Sequence, residues 1–256
     1  MKKNILALVI ALFAVIQTMA QTYDNLWKQA DAYRQKDLPK SEIGVMRKIS
    51  AKASASKDYG QLLAAEMRQT MLWKSISTDS LTPAIQRLRL QEQHTADPML
   101  KAVWNAVLGK LYKENVYYID AGDEEVANKR YRVNRAKAQA YFMKALAQPE
   151  LLTRHASTEY TPLTIRGLDG ASFGNDMLHL IGFEADSKEA YLKMYTYYNK
   201  VGNRGAACLC AFEVIQKYRQ DDVREVKKSK YLNAIDSLIH VYQDIPEAGD
   251  LAVEHY

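Results

Sequence analysis

The hydrophobic positions of this chain repeat with helical spacing over most of its length. From Leu100 through Trp104 and beyond, the apolar residues fall on one face of a helix. Asp97 and the proline after it precede this stretch, as an N-cap and a first-turn proline do. Residues 138–146 and 232–242 show the same period, and a proline follows each. Strand-like alternation is nowhere sustained, so the pattern predicts an all-α protein.

Short polar turns separate the predicted helices. The turns at residues 36–39, 77–80 and 202–203 favour antiparallel neighbours. We therefore expect antiparallel helical hairpins stacked in a tetratricopeptide-like, α-solenoid array. Besides the three stretches above, the period predicts helices at residues 23–36, 40–56, 59–76, 83–95, 175–183, 187–201 and 204–219.

One segment carries part of the tetratricopeptide pattern. Tyr191 and Tyr198 stand at first-helix positions of that repeat, and Ala207 lies where its small residue lets two helices approach closely. Tyr195, however, replaces the usual glycine. A generic antiparallel hairpin produces similar spacing by packing alone, so the pattern indicates repeat-like architecture rather than a strict repeat.

Two stretches interrupt the helical period. Residues 151–174 contain one proline and three glycines, and we expect an irregular crossing between two helical blocks there. Residues 120–130 are charged and are expected to form a solvated irregular piece. A last helix begins near Pro246 and ends at Tyr256 with an uncapped apolar face, so we expect the natural chain to continue beyond Tyr256.

The first twenty residues have the pattern of a cleaved signal peptide. Lys2 and Lys3 precede an apolar run over residues 5–16, which is short for a permanent membrane helix. Residues 18–20 then offer a small-x-small cleavage site. A buried N-terminal helix is the alternative. We predict export to the periplasm or cell surface, with residues 21–256 forming one helical repeat-like domain.

Composition adds few constraints. Hydrophobic residues make up 48% of the chain and charged residues 25%, which is ordinary for a globular protein. The formal net charge of +5 falls to +3 without Lys2 and Lys3, so no nucleic-acid partner is expected. No second apolar run reaches membrane-spanning length. Cys208 and Cys210 project to opposite sides of a predicted helix, so we expect two small core residues rather than a disulfide.

Ser172 lies in a Gly-x-Ser-x-Gly pattern that resembles the nucleophile turn of serine hydrolases. That chemistry needs a strand before the serine, together with an acid and a histidine near it. No strand pattern precedes Ser172, and the downstream His240 and His255 lie in helical stretches. We interpret the pattern as a glycine-rich loop that enters a helix.

Asp176 and His179 are three residues apart on one predicted helix face, a spacing that suits two metal ligands. A zinc site needs further ligands, and none is evident, so a hydrogen-bonded structural pair is the preferred interpretation. The acidic cluster within residues 120–125 lacks a calcium-loop pattern, and the lysines of residues 227–230 are mixed with acids. No catalytic, cofactor-binding or metal-ligating residue is assigned, and no cofactor is expected.

Several segments resemble the helical N-terminal region of large exported bacterial alpha-2-macroglobulin-like proteins. They are packing and turn signatures rather than catalytic ones. The resemblance implies that protease engagement belongs to domains beyond Tyr256, and no thioester Cys-Gly-Glu-Gln stretch is present. The segments are residues 23–29 (YDNLWKQ), 36–40 (KDLPK), 78–80 (TDS), 160–162 (YTP), 175–180 (NDMLHL) and the turn at 202–203 (GN).

These observations predict a non-enzymatic exported scaffold that binds a protein partner or the downstream domains of its own polypeptide. Stacked hairpins would present a surface on which aromatic side chains anchor that partner. An outer-membrane-associated carbohydrate- or peptide-binding protein is the first alternative. A serine hydrolase centred on Ser172 is the second.

Overall fold

The computed structural model describes residues 22–77, 80–115, 124–164, 167, 170–220 and 226–255. Within these residues the chain forms twelve α-helices and no strand, which confirms the predicted all-α fold. The predicted signal peptide lies outside the described residues. The helices are α1 (Tyr23–Gln35), α2 (Pro39–Ser56), α3 (Tyr59–Ile76), α4 (Leu81–His94), α5 (Pro98–Asn115), α6 (Glu124–Ala145), α7 (Pro149–Leu152), α8 (Met177–Ala185), α9 (Lys188–Lys200), α10 (Arg204–Gln220), α11 (Val226–Tyr242) and α12 (Glu247–His255).

Side-chain caps explain where many of these helices begin. The Asp58 carboxylate accepts a hydrogen bond from the Gln61 amide at 3.2 Å, and the Asp97 carboxylate accepts one from the Leu100 amide at 2.7 Å. Each cap satisfies an amide that would otherwise lack a partner in the first helical turn. Lys57, with a φ of 57°, ends α2 in the left-handed conformation and so allows the tight turn into α3.

The first compact unit contains the described residues up to Arg89, together with Tyr160–Leu163. In it α2 packs against both α1 and α3, as consecutive antiparallel hairpins do. Gly60, in the first turn of α3, packs directly against the backbone of the loop at Tyr160. A Cβ at this position would lie only 2.7 Å from the carbonyl carbon of Tyr160, so only glycine fits. The core is formed by Leu26, Ala30, Val45, Met46, Ile49 and Ala65.

The second compact unit comprises Leu90–Glu159 and Thr164–Tyr256. Two hairpins dominate it, α5 with α6 and α9 with α10, while α8 packs against α5, α6 and α9. Cys208 and Cys210 are buried in α10 as free thiols, as expected from their spacing. The largest fully buried side chains include Trp104, Phe142, Phe173 and Tyr198.

The two predicted interruptions of the helical pattern, at residues 151–174 and 120–130, differ in the structure. Within residues 151–174, the described part is irregular apart from the end of α7 and a 3₁₀ turn at Ser157–Tyr160. The expectation of an irregular piece at residues 120–130 is wrong for its second half, because α6 begins at Glu124. The first described turns of α6 are largely exposed, so their charged side chains conceal the helical period. None of the helices that the structure describes is long and apolar enough to span a bilayer.

Candidate functional site

A groove in the first unit combines volume, charge and polar atoms that lack hydrogen-bond partners. Its cavity volume is about 530 Å³, within the usual range of about 300–1,000 Å³ for small-ligand pockets. Helices α2, α3 and α4 contribute its walls, and we call it the α2–α4 groove. Its lining residues are Arg47, Ser50, Glu66, Gln69, Trp73, Ser80, Pro83, Ala84 and Arg87.

An ion pair joins two of the residues that line the α2–α4 groove. Glu66 is only 4% exposed, and its carboxylate accepts a hydrogen bond from Nη1 of Arg87. The main-chain carbonyl of Glu66 accepts a further bond from the Thr70 hydroxyl at 2.9 Å. A buried carboxylate requires such a partner because its desolvation is costly. Arg87 therefore holds Glu66 with one guanidinium nitrogen, Nη1.

Three buried polar atoms of the α2–α4 groove have no hydrogen-bond partner within the part of the chain that the structure describes. They are Oγ of Ser50, Oε1 of Gln69 and Nη2 of Arg87. Ser50 and Gln69 are 8% and 5% exposed. An unmet buried polar group costs about 1–3 kcal/mol, so native structures contain few of them. All three belong to residues that line the same groove.

The rest of the lining gives the α2–α4 groove an apolar wall and a positive edge. Trp73 is half-buried, Ala84 is buried, and Pro83 is exposed on the same wall. Arg47 is exposed and forms no ion pair within the described residues. Because Arg87 and Glu66 neutralise each other, Arg47 leaves the groove with a net positive charge.

A second cavity, in the second unit, lacks this combination. Its volume is about 620 Å³, and the exposed Arg132 and Arg135 of α6 line it together with Glu189 of α9. None of the buried polar atoms without partners in the described ranges lies in its lining. We therefore take the α2–α4 groove as the candidate site.

Ser172 has an acidic hydrogen-bond partner rather than a histidine. Its hydroxyl lies 2.8 Å from Oε1 of Glu247, and its carbonyl accepts a hydrogen bond from the Asn203 side chain at 2.9 Å. Both contacts join the loop to neighbouring helices. No strand precedes Ser172 among the described residues. The geometry thus shows a loop that is held in place, without the elements of a nucleophile turn.

Asp176 is the N-cap of α8. Its Oδ1 accepts a hydrogen bond from the His179 main-chain amide at 2.8 Å. The Tyr198 hydroxyl lies 2.9 Å from Oδ1 and 3.0 Å from Oδ2. Burial raises the pKa of the Asp176 carboxyl to about 6, although these hydrogen bonds oppose the shift. Asp176 and His179 are therefore joined by a hydrogen bond, but the His179 main-chain amide makes it and not the imidazole.

The His179 imidazole lies in an aromatic cluster. It stacks on Phe173, with ring centres 4.1 Å apart and planes 1° from parallel, and it meets Phe183 edge-on at 4.6 Å. Burial lowers the pKa of His179 to about 4, so the ring is neutral near pH 7. Among the described residues, no group of three or more His, Cys, Asp or Glu side chains could hold a metal ion.

Several other predicted features fall outside the described residues. Asp120 and Asp123 of the acidic cluster are among them, as are the side chains of Lys227 and Lys228 in the basic run. The structure therefore leaves the interpretation of these two surfaces as a prediction.

The residues of the α2–α4 groove did not stand out in the sequence as a motif. Ser50, Glu66 and Gln69 are distributed over two helices, and Arg87 lies on a third. A weaker signal is nevertheless present. Ser50 follows the core residue Ile49, and Glu66 is one helical turn after Leu63, so polar residues occupy positions that the apolar period assigns to the buried face. Such positions point to a polar network or to a ligand.

Comparison with known proteins gives no indication of function. No protein family, curated protein sequence or solved structure matches this chain. The resemblance to macroglobulin-like proteins thus depends on the short segments given above and remains a prediction.

Proposed function

We propose that this protein is an exported, non-enzymatic helical module that binds a segment of a protein partner in the α2–α4 groove. The observation that carries the proposal is the groove itself, a cavity of about 530 Å³ whose lining combines the half-buried Trp73 with Arg47, which forms no ion pair within the described residues. Tryptophan and arginine side chains are enriched among the residues that dominate protein binding. Trp73 adds an aromatic anchor of the kind that is common at binding surfaces.

The proposed context is the N-terminal region of an alpha-2-macroglobulin-like, protease-engaging protein. The resemblance of residues 23–29 and 36–40 supports this context, and the pattern of residues 1–20 supports export. The partner would then be a separate protein or further domains of the same polypeptide. The small positive net charge gives no support to a nucleic-acid partner.

A saccharide is the second candidate ligand, and Trp73 is the observation that favours it. A half-buried indole beside polar side chains can stack on a sugar ring as well as on a peptide side chain. The hydrolase alternative has no comparable support, because Ser172 is paired with Glu247.

A peptide library displayed on phage tests the proposal, in one format with free carboxyl termini and in another with internal peptides. We expect enriched peptides to bind the wild-type protein and to lose about 10-fold or more in affinity on Trp73→Ala, because the aromatic anchor of the groove is removed. Tyr218→Ala is the matched control, since Tyr218 is an exposed aromatic residue of α10. Failure of both formats, or equal peptide binding to Trp73→Ala, would overturn the proposal. Glycan binding that Trp73→Ala abolishes would favour the second candidate.

A further inference from the structure

We infer that the cavity of the second unit binds an extended acidic segment of a protein partner, with carboxylates at alternating positions. The site belongs to a different unit from the α2–α4 groove, and the inference does not depend on the function proposed for that groove. We call it the α6–α9 cavity, and its volume is about 620 Å³. The lining residues that carry the inference are Lys113, Arg132, Arg135, Asp186 and Glu189.

The cations of the α6–α9 cavity keep their positive charge unmatched. Arg132 and Arg135 are exposed, and neither forms an ion pair within the part of the chain that the structure describes. Nε of Arg132 donates to the main-chain carbonyl of Asn128 at 3.4 Å, and this neutral acceptor leaves the charge in place. Lys113 likewise donates to a neutral acceptor, the main-chain carbonyl of Glu184, at 2.6 Å. Because a concave surface lined by one sign of charge concentrates its field, the cavity favours an anionic ligand.

Two acids in the same lining limit which anions fit the α6–α9 cavity. Asp186 forms an ion pair with Lys217 at 2.6 Å, so its charge is compensated. Glu189 is exposed and accepts a hydrogen bond from the Gln139 side chain at 3.3 Å, but it has no cationic partner among the described residues. A densely charged polyanion, such as a nucleic acid or an anionic lipid surface, would bring negative charge against Glu189. Carboxylates separated by neutral peptide units avoid this repulsion, and a main-chain N–H can donate to Glu189.

The spacing of the two arginines specifies the spacing of the carboxylates. Arg132 and Arg135 are three residues apart on α6, and the Cβ atoms of such a pair are about 5–6 Å apart. In an extended peptide, side chains two residues apart project to the same side and are separated by about 6.6 Å along the chain. An acid-x-acid sequence therefore lets each guanidinium meet one carboxylate. The planar fork of an arginine side chain suits a carboxylate, which it binds through two parallel hydrogen bonds.

Acetyl-Ala-Glu-Val-Glu-Ala-amide is the probe, because its capped ends leave the two carboxylates as its only charges and its valine favours an extended backbone. One analogue has glutamine at both glutamate positions, and the other, acetyl-Ala-Glu-Glu-Val-Ala-amide, has adjacent acids. Binding to the full chain is followed by NMR titration at pH 7 and low ionic strength. We expect the glutamine peptide to bind about 10-fold or more weakly, because it lacks the charge-assisted bonds. The adjacent-acid peptide should bind about 3-fold or more weakly, because its carboxylates project to opposite sides.

Three variants that remove the same charge from the same helix assign the binding to the α6–α9 cavity. Arg132→Gln and Arg135→Gln should each reduce the affinity for the probe by about 10-fold and leave the affinity for the glutamine peptide unchanged. Arg130→Gln is the matched control, since Arg130 is exposed on α6 but is not among the residues that line the cavity, and it should bind as wild type. All three side chains are exposed, so the substitutions should leave the folded structure intact.

Several results would overturn the inference. Absence of probe binding, equal affinity for the glutamine peptide, or an equal loss of affinity on Arg130→Gln would show that the cavity does not recognise carboxylates. Equal affinity for the adjacent-acid peptide would refute the alternating spacing. Displacement of the probe by inorganic phosphate or by phosphatidylglycerol vesicles, at the same concentration of charge, would identify a site for simple anions or lipid headgroups instead. The test of the α2–α4 groove uses Trp73→Ala, so the two proposals can fail separately.

Discussion

Two buried carboxylates of this protein have different surroundings. One is Glu66 in the α2–α4 groove, and the other is Asp176, which with its partners His179 and Tyr198 we call the Asp176 cluster. Asp176 is 5% exposed, and its two oxygens are met by the His179 amide and the Tyr198 hydroxyl. Glu66 is 4% exposed and accepts a hydrogen bond from Arg87. A second nitrogen of Arg87 and the side-chain amide oxygen of Gln69, however, have no hydrogen-bond partner among the described residues.

The difference separates a carboxylate whose hydrogen bonds are completed within the protein from one that lies beside polar atoms without partners. Hydrogen bonds completed inside the protein, as at Asp176, contribute to the free energy of unfolding. Polar atoms left unmet around Glu66 lower that free energy. Substitutions in the two regions should therefore have opposite effects on stability.

The largest effect is expected from Asp176→Ala. The substitution removes the cap of α8 and leaves the buried Tyr198 hydroxyl without its acceptor, so we expect a loss of about 2–4 kcal/mol in the free energy of unfolding. Urea denaturation measures it. Asp176→Asn keeps one acceptor oxygen and should lose less. A loss below about 1 kcal/mol for the alanine variant would contradict the structural role.

The pH dependence of the free energy of unfolding should separate the contribution of Asp176 from that of His179. Asp176 has its pKa raised to about 6 from 3.8, so its contribution is full below pH 3.8 and is lost as the pH rises toward 6. His179 has its pKa lowered to about 4 from 6.5, so its contribution is present above pH 6.5 and is lost as the pH falls toward 4.

Between pH 4 and 6 the two contributions change the free energy of unfolding in opposite directions. On acidification the Asp176 contribution rises and the His179 contribution falls. Asp176→Asn removes the first, so stability should fall more steeply on acidification than in the wild type, by about 1–3 kcal/mol over this window at about 1.4 kcal/mol per pKa unit. Urea denaturation at several pH values measures the difference. His179→Phe should change the slope in the other direction. Parallel pH profiles for wild type and Asp176→Asn would show that Asp176 is not shifted.

The smallest effect on stability is expected from Gln69→Met in the α2–α4 groove. Methionine has a similar volume and removes an amide whose oxygen lacks a partner, so the free energy of unfolding should rise by about 1 kcal/mol. Thermal unfolding measures it beside Gln35→Met, the matched control, since Gln35 is exposed at the end of α1. A loss above about 1 kcal/mol would mean that Gln69 is already satisfied in the free protein.

Helix positions were largely predictable from the sequence. The helix expected at residues 59–76 is α3 with the same bounds, and the one expected at 23–36 is α1 (Tyr23–Gln35). Caps such as Asp58 act within a few residues, so they are visible in the sequence. The start of α6 was missed because its exposed first turns carry no apolar period.

The candidate site was not predictable in the same way. Ser50, Gln69 and Arg87 come from three helices, and only the packing of those helices brings the three residues to one cavity and leaves a polar atom of each without a partner. Even the predicted Asp176–His179 pair is incomplete without Tyr198, which lies 22 residues from Asp176 in sequence.

By itself the sequence determined the all-α class, the hairpin turns and most helix bounds, because these depend on periodicity and capping over a few neighbouring residues. Only the tertiary structure decided which buried polar groups find partners. That outcome depends on which helices meet and at what distance their side chains stand, and helical spacing alone does not contain this information.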